Sequence, residues 1–265
     1  MAPQAQQNRK VKDRWSGYSQ SQMPYCRSRG VHRDYGAHFF RWSAVQRLIK
    51  QGETHILDIG CGQNLPIANM CNGPFRNPAS YTGVDLNPIP VESRPGNHWF
   101  TVHDETNVLK WTPPRSYDLV TCFGVIEHME KADGKKLIKR LIRWSGDTGT
   151  VLLSTPVFIK TKAADHIYEW SREEIIQAIR SSGGIIENVF GTFARIPQLK
   201  KVLTPEERRL FNRLASYYDH DALSLIFAPL HPRVSSNNIW VVRSRESHHY
   251  HDARGGGEAL QTELL

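Results

Sequence analysis

Thr54-His55-Ile56-Leu57-Asp58-Ile59-Gly60-Cys61-Gly62-Gln63-Asn64 is the stretch on which the fold turns. A strand-like apolar run ends in an acid and breaks into a Gly-x-Gly turn. That is the pattern of a buried parallel strand emptying into a tight loop ahead of a helix. Glycine there permits positive φ and lets a ligand approach the backbone closely. Open α/β sheets bind ligands at the carboxyl ends of their strands, where this loop falls. A dinucleotide fingerprint wants a third glycine three residues after the second; here that residue is Leu65, followed by Pro66. This weakens a nicotinamide oxidoreductase reading. Asp58 is poorly placed beside a pyrophosphate and well placed to receive an amino group.

Working outward, Tyr81–Val84 predicts a second strand that delivers Asp85 about twenty positions past the glycines. An acid there can accept both hydroxyls of a ribose. A third strand over His98–Val102 leads to Asp104 and Glu105, and a fourth opens at Tyr117-Asp118-Leu119-Val120. A helix then runs from Asp133, with Leu137, Ile138, Leu141 and Ile142 on its inner face and Lys135, Lys136, Lys139, Arg140 and Arg143 outside. Strand five is Thr150–Ser154. Ser171 and Glu174 form a capping box, so the helix after it carries Ile175, Ile176 and Ile179. Strand six is Ile185–Phe190 and the last strand Asn238–Arg243. The insertion between them has a second capping box at Thr204-Pro205-Glu206-Glu207, a helix to about Tyr218, and another over Asp221–Phe227. Upstream, Tyr35–Lys50 reads as an amphipathic helix with Phe39, Trp42, Val45, Leu48 and Ile49 on one face.

Composition sets the outer limits. The chain has 265 residues, 39% hydrophobic and 23% charged, enough for one α/β domain with attachments. No apolar run approaches the roughly 20 residues that span a bilayer, and the N-terminus lacks the apolar core of a secretory signal. Cys26, Cys61, Cys71 and Cys122 are scattered without a C-x-x-C pair, which argues against a zinc site or disulfide framework and for a cytoplasmic setting. The net charge of +8 is concentrated in residues 1–50, which hold ten Lys/Arg against two Asp/Glu. Such an arm suits contact with nucleic acid, or serves only as a solvated tail. The organisation read from these signals is an arm over 1–34, a domain over 35–243 with a helical lid at 195–232, and a tail over 244–265.

Asp58-x-Gly60-x-Gly62, Asp85 and Tyr117–Met129 together resemble the class I S-adenosylmethionine (SAM) methyltransferase superfamily, of the small-domain type with Val-Ile-Glu-His after strand four. The resemblance runs from about Thr54 to Arg243. It implies a Rossmann-like sheet of seven strands, mostly parallel, with helices on both faces, an antiparallel final hairpin and SAM as cofactor. It implies further that Gly60, Cys61 and Gly62 line the cofactor loop and Asp58 holds the amino group. Asp85 would then bind the ribose, Leu86 pack on the adenine, Asp104 read it, and Phe123 lie under the methionine moiety.

Asp165-His166-x-Tyr168-Glu169-Trp170-Ser171-Arg172-Glu173 also resembles the enzymes that methylate the 3′-terminal 2′-hydroxyl of small RNAs, whose two Glu and two His hold a divalent metal. Carried over, Glu127, His128 and His166 are three of the ligands, and Gly124 stands where the fourth, a glutamate, belongs. The expectation is a site that uses no metal. His128 and His166 are then the general-base candidates, each also able to serve only in capping or packing. The leading reading is methyl transfer to an O or N atom of a small-molecule or nucleic-acid acceptor. RNA ribose 2′-O-methylation is the alternative enzyme, and a non-catalytic binding or assembly module the alternative of another kind.

Overall fold

The structure, a computed structural model, describes residues 25–26, 30–31, 33–72, 77–158 and 163–245. The expected arm over 1–34 and tail over 244–265 lie almost wholly outside them. A short antiparallel ladder, β1 (Tyr25–Cys26) and β2 (Gly30–Val31), precedes helix α1 (Arg33–Leu48). Seven further strands follow: β3 (His55–Ile59), β4 (Ser80–Val84), β5 (Phe100–His103), β6 (Leu119–Phe123), β7 (Thr150–Pro156), β8 (Gly184–Ala194) and β9 (Ser235–Ser244). They form one sheet in the order β5-β4-β3-β6-β7-β9-β8. The first five are mutually parallel; β9 runs antiparallel between β7 and β8. This is the expected Rossmann-like sheet. The chain winds outward from β3 in both directions, so the topological switch, where such sheets open a crevice, lies at the carboxyl ends of β3 and β6.

Strand alternation builds two cores. Leu57, Ile59, Val120, Cys122, Val151 and Leu153 face helices α3 (Lys131–Trp144) and α4 (Arg172–Ser181). Ile56, Leu119 and Leu152 point the other way, toward Val45 and Ile49 of α1 and Ile67, Ala68 and Cys71 of α2 (Pro66–Cys71). Buried on both faces, these strands read as continuous apolar runs.

α1 departs from the expected inner face. Phe39 is 63% exposed, while Arg41 is buried with its Nε donating to Ser154 Oγ at 3.1 Å. Helical spacing ranks apolar positions but cannot foresee a cation buried against the sheet end. The insertion holds three helices rather than two: α5 (Ile196–Val202), α6 (Pro205–Leu214) and α7 (His220–Phe227). They share a small core of Leu199, Leu203, Phe211, Leu223 and Phe227. Thr204 caps α6 reciprocally with Glu207, as the sequence indicates, but the helix ends at Leu214 and continues to Tyr218 only as a turn. α5 carries no capping side chain, and it escaped notice for that reason.

Candidate active site

Three side chains lock the first loop from below. Asp58 is 3% exposed, and it accepts hydrogen bonds from Tyr81 Oη at 2.7 Å and Thr121 Oγ1 at 2.6 Å. One carboxylate thus joins β3 to both its neighbours. Burial raises its pKa from the usual 3.8 to about 6, against the pull of the two hydroxyls. Gly83 makes room for this: a Cβ there would sit 2.9 Å from Cys61 Sγ and 3.1 Å from the Tyr81 ring. Cys61 therefore packs downward, 2% exposed, and burial pushes its thiol pKa up.

Above this base the backbone turns through positive φ at Gly60 (71°) and Gly62 (72°). A Cβ on Gly60 would lie 2.3 Å from Val125 Cγ2, whereas one on Gly62 would meet nothing within 4 Å. Gly60 is thus required by packing, and Gly62 leaves open space above the loop. Asp85 steers the same turn: Oδ2 accepts from Gly62 N at 2.9 Å and Oδ1 from Asn87 N at 2.9 Å. Asn87 Nδ2 also donates to Oδ1, at 3.1 Å. A carboxylate oxygen has two acceptor directions, so Oδ1 is filled and Oδ2 retains capacity for a hydroxyl.

These residues open into a cavity of about 480 Å³ lined by Gly60, Asp85, Leu86, Asn107, Gly124 and His128, among others. The volume falls in the range of small-molecule pockets. Leu86 is 70% exposed on its wall, where a flat ring could cover it. Asp58, Cys61, Gly62, Asp104 and Phe123 are not on the wall. Asp104 Oδ2 accepts from Ile89 N at 3.1 Å and pairs with Arg94 at 2.6 Å. The Ile89 amide leads in drawing its pKa below the usual 3.8, with Arg94 adding to it against some burial. The wall near it is made by Thr106, Asn107 and Val108, which no acidic signal in the sequence marks. Phe123 lies under the Arg41 guanidinium, 5.7 Å from the ring centre.

Beyond the cavity the second half of the site comes together from two distant segments. Ile126–His128 form one 3₁₀ turn after β6. The loop after β7 clamps onto it: Ile167 N and Tyr168 N both donate to Glu127 O, at 2.8 and 3.1 Å. Trp170, fully buried, donates Nε1–H to Ile126 O at 3.3 Å and fills the space that Gly134 leaves on α3. Tyr168 Oη donates to Glu174 at 2.6 Å, and Lys131 pairs with the same carboxylate. Ile167, Tyr168 and Trp170 of the 165–170 string thereby each acquire a physical task.

The result is a cluster in which donor atoms of Glu127, His128 and His166 all lie within 4.8 Å of one another. Glu127 is 3% exposed, and its Oε2 accepts from Thr155 Oγ1 at 3.1 Å. Burial raises its pKa; its own backbone amide, His128, Arg41 and Thr155 oppose the shift. Thr155 and Arg41 were not singled out from the sequence. His128 Nδ1 lies 2.9 Å from the carbonyl of Asp165, so it must donate, leaving the Nε2 lone pair free. His166 Nδ1 lies 2.7 Å from Glu169 Oε1, which orients it in the same sense. The two rings stand edge to face, 5.1 Å apart. Such a trio can take a proton from an acceptor or hold a divalent cation.

Sheet order, the glycine loop after β3 and the acid at the end of β4 are those of a Rossmann-like methyltransferase fold, and comparison with known proteins carries this further. The sequence profile of a methyltransferase domain family matches residues 28–186, more than half of the chain. The protein belongs to that family and is an S-adenosylmethionine-dependent methyltransferase. Among solved structures it is similar to the [4+2]-cyclase SpnF, with a TM-score of 0.56 at 15% identity over 92% of this chain and 97% of that one. It is also similar to magnesium protoporphyrin IX methyltransferase (ChlM) from Synechocystis PCC 6803 with bound SAH, with a TM-score of 0.53 at 16% identity over 89% and 96% of the two chains. Small RNA methyltransferase HEN1 gives a TM-score of 0.50 at 17% identity over 77% of this chain but only 25% of that one. At such identities the likeness establishes the fold alone. No curated protein sequence matches the chain. No helix among the described residues is long and apolar enough to cross a membrane.

Proposed function

We propose that the chain transfers the methyl group of SAM to an oxygen or nitrogen acceptor presented at the Glu127–His128–His166 cluster, with His128 or His166 taking the acceptor's proton. The observation that carries this is the shared wall: His128 and Gly124 border both the 480 Å³ cavity and the cluster. In this reading SAM occupies the cavity. Gly60 on the wall lets it approach the backbone, Asp85 receives a ribose hydroxyl on Oδ2, Leu86 covers the adenine, and Asp58 acts from below by holding the loop. Asp104 then acts on the adenine side through Ile89 and Arg94 rather than by direct contact. The sulfonium is already activated. The protein's contribution is therefore in-line placement, to which a positioned base adds about 10²–10⁴-fold. The 195–232 helices form the acceptor's outer wall. Free, buried Cys61, Cys71 and Cys122 support a reducing, cytoplasmic setting.

A second reading has one observation in its favour. One carboxylate and two imidazoles within 4.8 Å of one another, both rings fixed through Nδ1, suit a divalent cation with three protein ligands. Gly124 leaves the fourth direction unfilled, for acceptor or water; a Cβ there would be 3.6 Å from Glu127 Oε1. Such a cation would polarise an acceptor hydroxyl, as suits a ribose diol at an RNA end.

Transfer of labelled methyl from SAM into RNA and small-molecule fractions, with and without chelator, tests both. Label in either fraction that persists in chelator and falls in His128→Ala and His166→Ala supports the first reading. Label confined to RNA and lost with chelator moves the assignment to the second. No binding of S-adenosylhomocysteine (SAH) would remove the shared premise.

A further inference from the structure

The helical insertion does more than wall off the acceptor. Residues 195–234 carry seven Lys/Arg against four Asp/Glu, and the excess is gathered on α5 and α6. Arg209 and Arg213 stand one turn apart on α6, both exposed, and Tyr217 follows four residues later, 80% exposed. Tyr217 and Tyr218 continue the helical path, since both amides donate to Leu214 O, at 2.9 and 3.0 Å. Residues four apart on such a path are neighbours on its surface. α5 brings Lys200 and Lys201 alongside, because Arg208 Nη2 donates to Lys200 O at 2.9 Å. Among the described residues no ion pair involves Lys201, Arg209 or Arg213. The acids of the first turn are turned elsewhere or exposed: Glu207 accepts from Thr204 N and meets His231 at 3.1 Å. Cations free of carboxylate partners, in line with the exposed ring of Tyr217 and followed by the exposed ring of Tyr218, are an unusual surface for a helix with nothing to bind.

Its place is equally telling. The His231–Glu207 contact ties α6 to the segment entering β9, where Ser236 O accepts from Val157 N at 2.9 Å. Arg172 Nη1 donates to Pro232 O at 3.2 Å. The insertion is thus fastened to the same end of the sheet as the 165–170 loop that carries His166. On its other side α7 abuts α1: a Cβ on Gly36 would lie 2.0 Å from Leu225 Cδ2. α1, which carries Arg41 and Arg47, therefore packs beside the insertion.

We propose that Lys201, Arg209, Arg213, Tyr217 and Tyr218 form a docking track for a single-stranded polynucleotide, one end of which reaches the Glu127–His128–His166 cluster. Cations follow the phosphates and phenol rings stack on successive bases, a combination that suits single strands and tolerates any sequence. This deepens the methyltransferase assignment by naming the acceptor's chemical class, and it rests on that assignment only for what happens at the strand's end.

The test is fluorescence anisotropy of a labelled 20-nucleotide oligouridylate with the full chain, over a series of salt concentrations. SAH binding is measured on each variant as a check on folding. Arg209→Glu/Arg213→Glu weakens binding by more than about tenfold and reduces the salt slope by about 1.4, roughly 0.7 for each single-strand phosphate contact. Tyr217→Ala weakens it by about 5-fold or more, the scale of one lost base stack. SAH affinity stays at the parent value in both. Parent-like oligonucleotide binding by the double variant overturns the track, and so does equal competition by a blunt duplex or no binding by the parent. Loss of SAH binding by the parent instead strikes at the methyltransferase reading, so the two failures are told apart.

Discussion

The two halves of the proposed site, one for the donor and one for the acceptor, are built on opposite plans. Around Gly60–Gly62 the parts are strand ends, backbone amides and buried acids, all within one parallel sheet. Asp58 bridges three strands and Asp85 grips a glycine amide, at distances of 2.6–2.9 Å. Around His128 and His166 the parts are two loops that meet only after folding. They are joined by main-chain bonds to Glu127 O and by a tryptophan peg. The sheet fixes the first half regardless of what is methylated. The second depends on contacts that can change without disturbing the sheet, which is the usual division between scaffold and specificity.

The sharpest way to break this contrast is at Asp85. Replacement by Ala removes two backbone hydrogen bonds and the proposed ribose acceptor, so SAH affinity falls by about 10²-fold or more, each charge-assisted bond being worth about 1.5–3 kcal/mol. Titration calorimetry that found parent affinity would detach Asp85 from the donor site. Next comes His166→Ala, which lowers kcat by about 10²–10⁴ while SAH affinity changes less than about threefold. Equal losses in both quantities would mean that the two halves are not separable.

A smaller effect is expected from Tyr81→Phe, which takes one of two hydroxyl donors from Asp58 and costs about 1–3 kcal/mol in chemical unfolding. Because burial lifts Asp58 from 3.8 to about 6, the folded chain keeps a proton the unfolded chain has lost. Stability linked to it therefore declines as pH rises between those values, and the variant steepens that decline.

Glu174 on the acceptor side has the opposite sign. Burial alone would raise its pKa, but Lys131, the Tyr168 hydroxyl and the Ser171 amide lower it from 4.5 to about 2. Its contribution is present above the usual carboxylate range and vanishes as pH falls toward 2. Glu174→Gln flattens that acid limb by less than about 1 kcal/mol, since the pair is partly exposed and screened. An unchanged limb would remove Glu174 from the clamp.

The same contrast explains what could be read without coordinates. Local patterns exposed the donor half: a strand, an acid and two glycines within a few residues, then Asp85 at the next strand end. The capping boxes at Ser171 and Thr204 placed two helices for equally local reasons. Thr155 and Arg41 stayed hidden because their partners, Glu127 and Ser154, are 28 and 113 residues away. For Asp104 the family resemblance suggested an adenine contact, but its amide and guanidinium partners, Ile89 and Arg94, belong to a loop no spacing rule ties to it. Phe39 shows the converse, a periodic apolar position left outside while a cation is buried.

Leu65 has a further consequence. Where a dinucleotide loop would have its third glycine, this leucine adopts φ of +46°, a left-handed conformation that its side chain disfavours, and it is fully buried. Hydrophobic anchorage, rather than the freedom of glycine, thus sets the exit of the loop into α2. A loop held in this way has little to rearrange when its ligand arrives. In stopped-flow mixing, SAM association should therefore follow a single concentration-dependent phase, and slow steps, where they occur, should report the acceptor side closing.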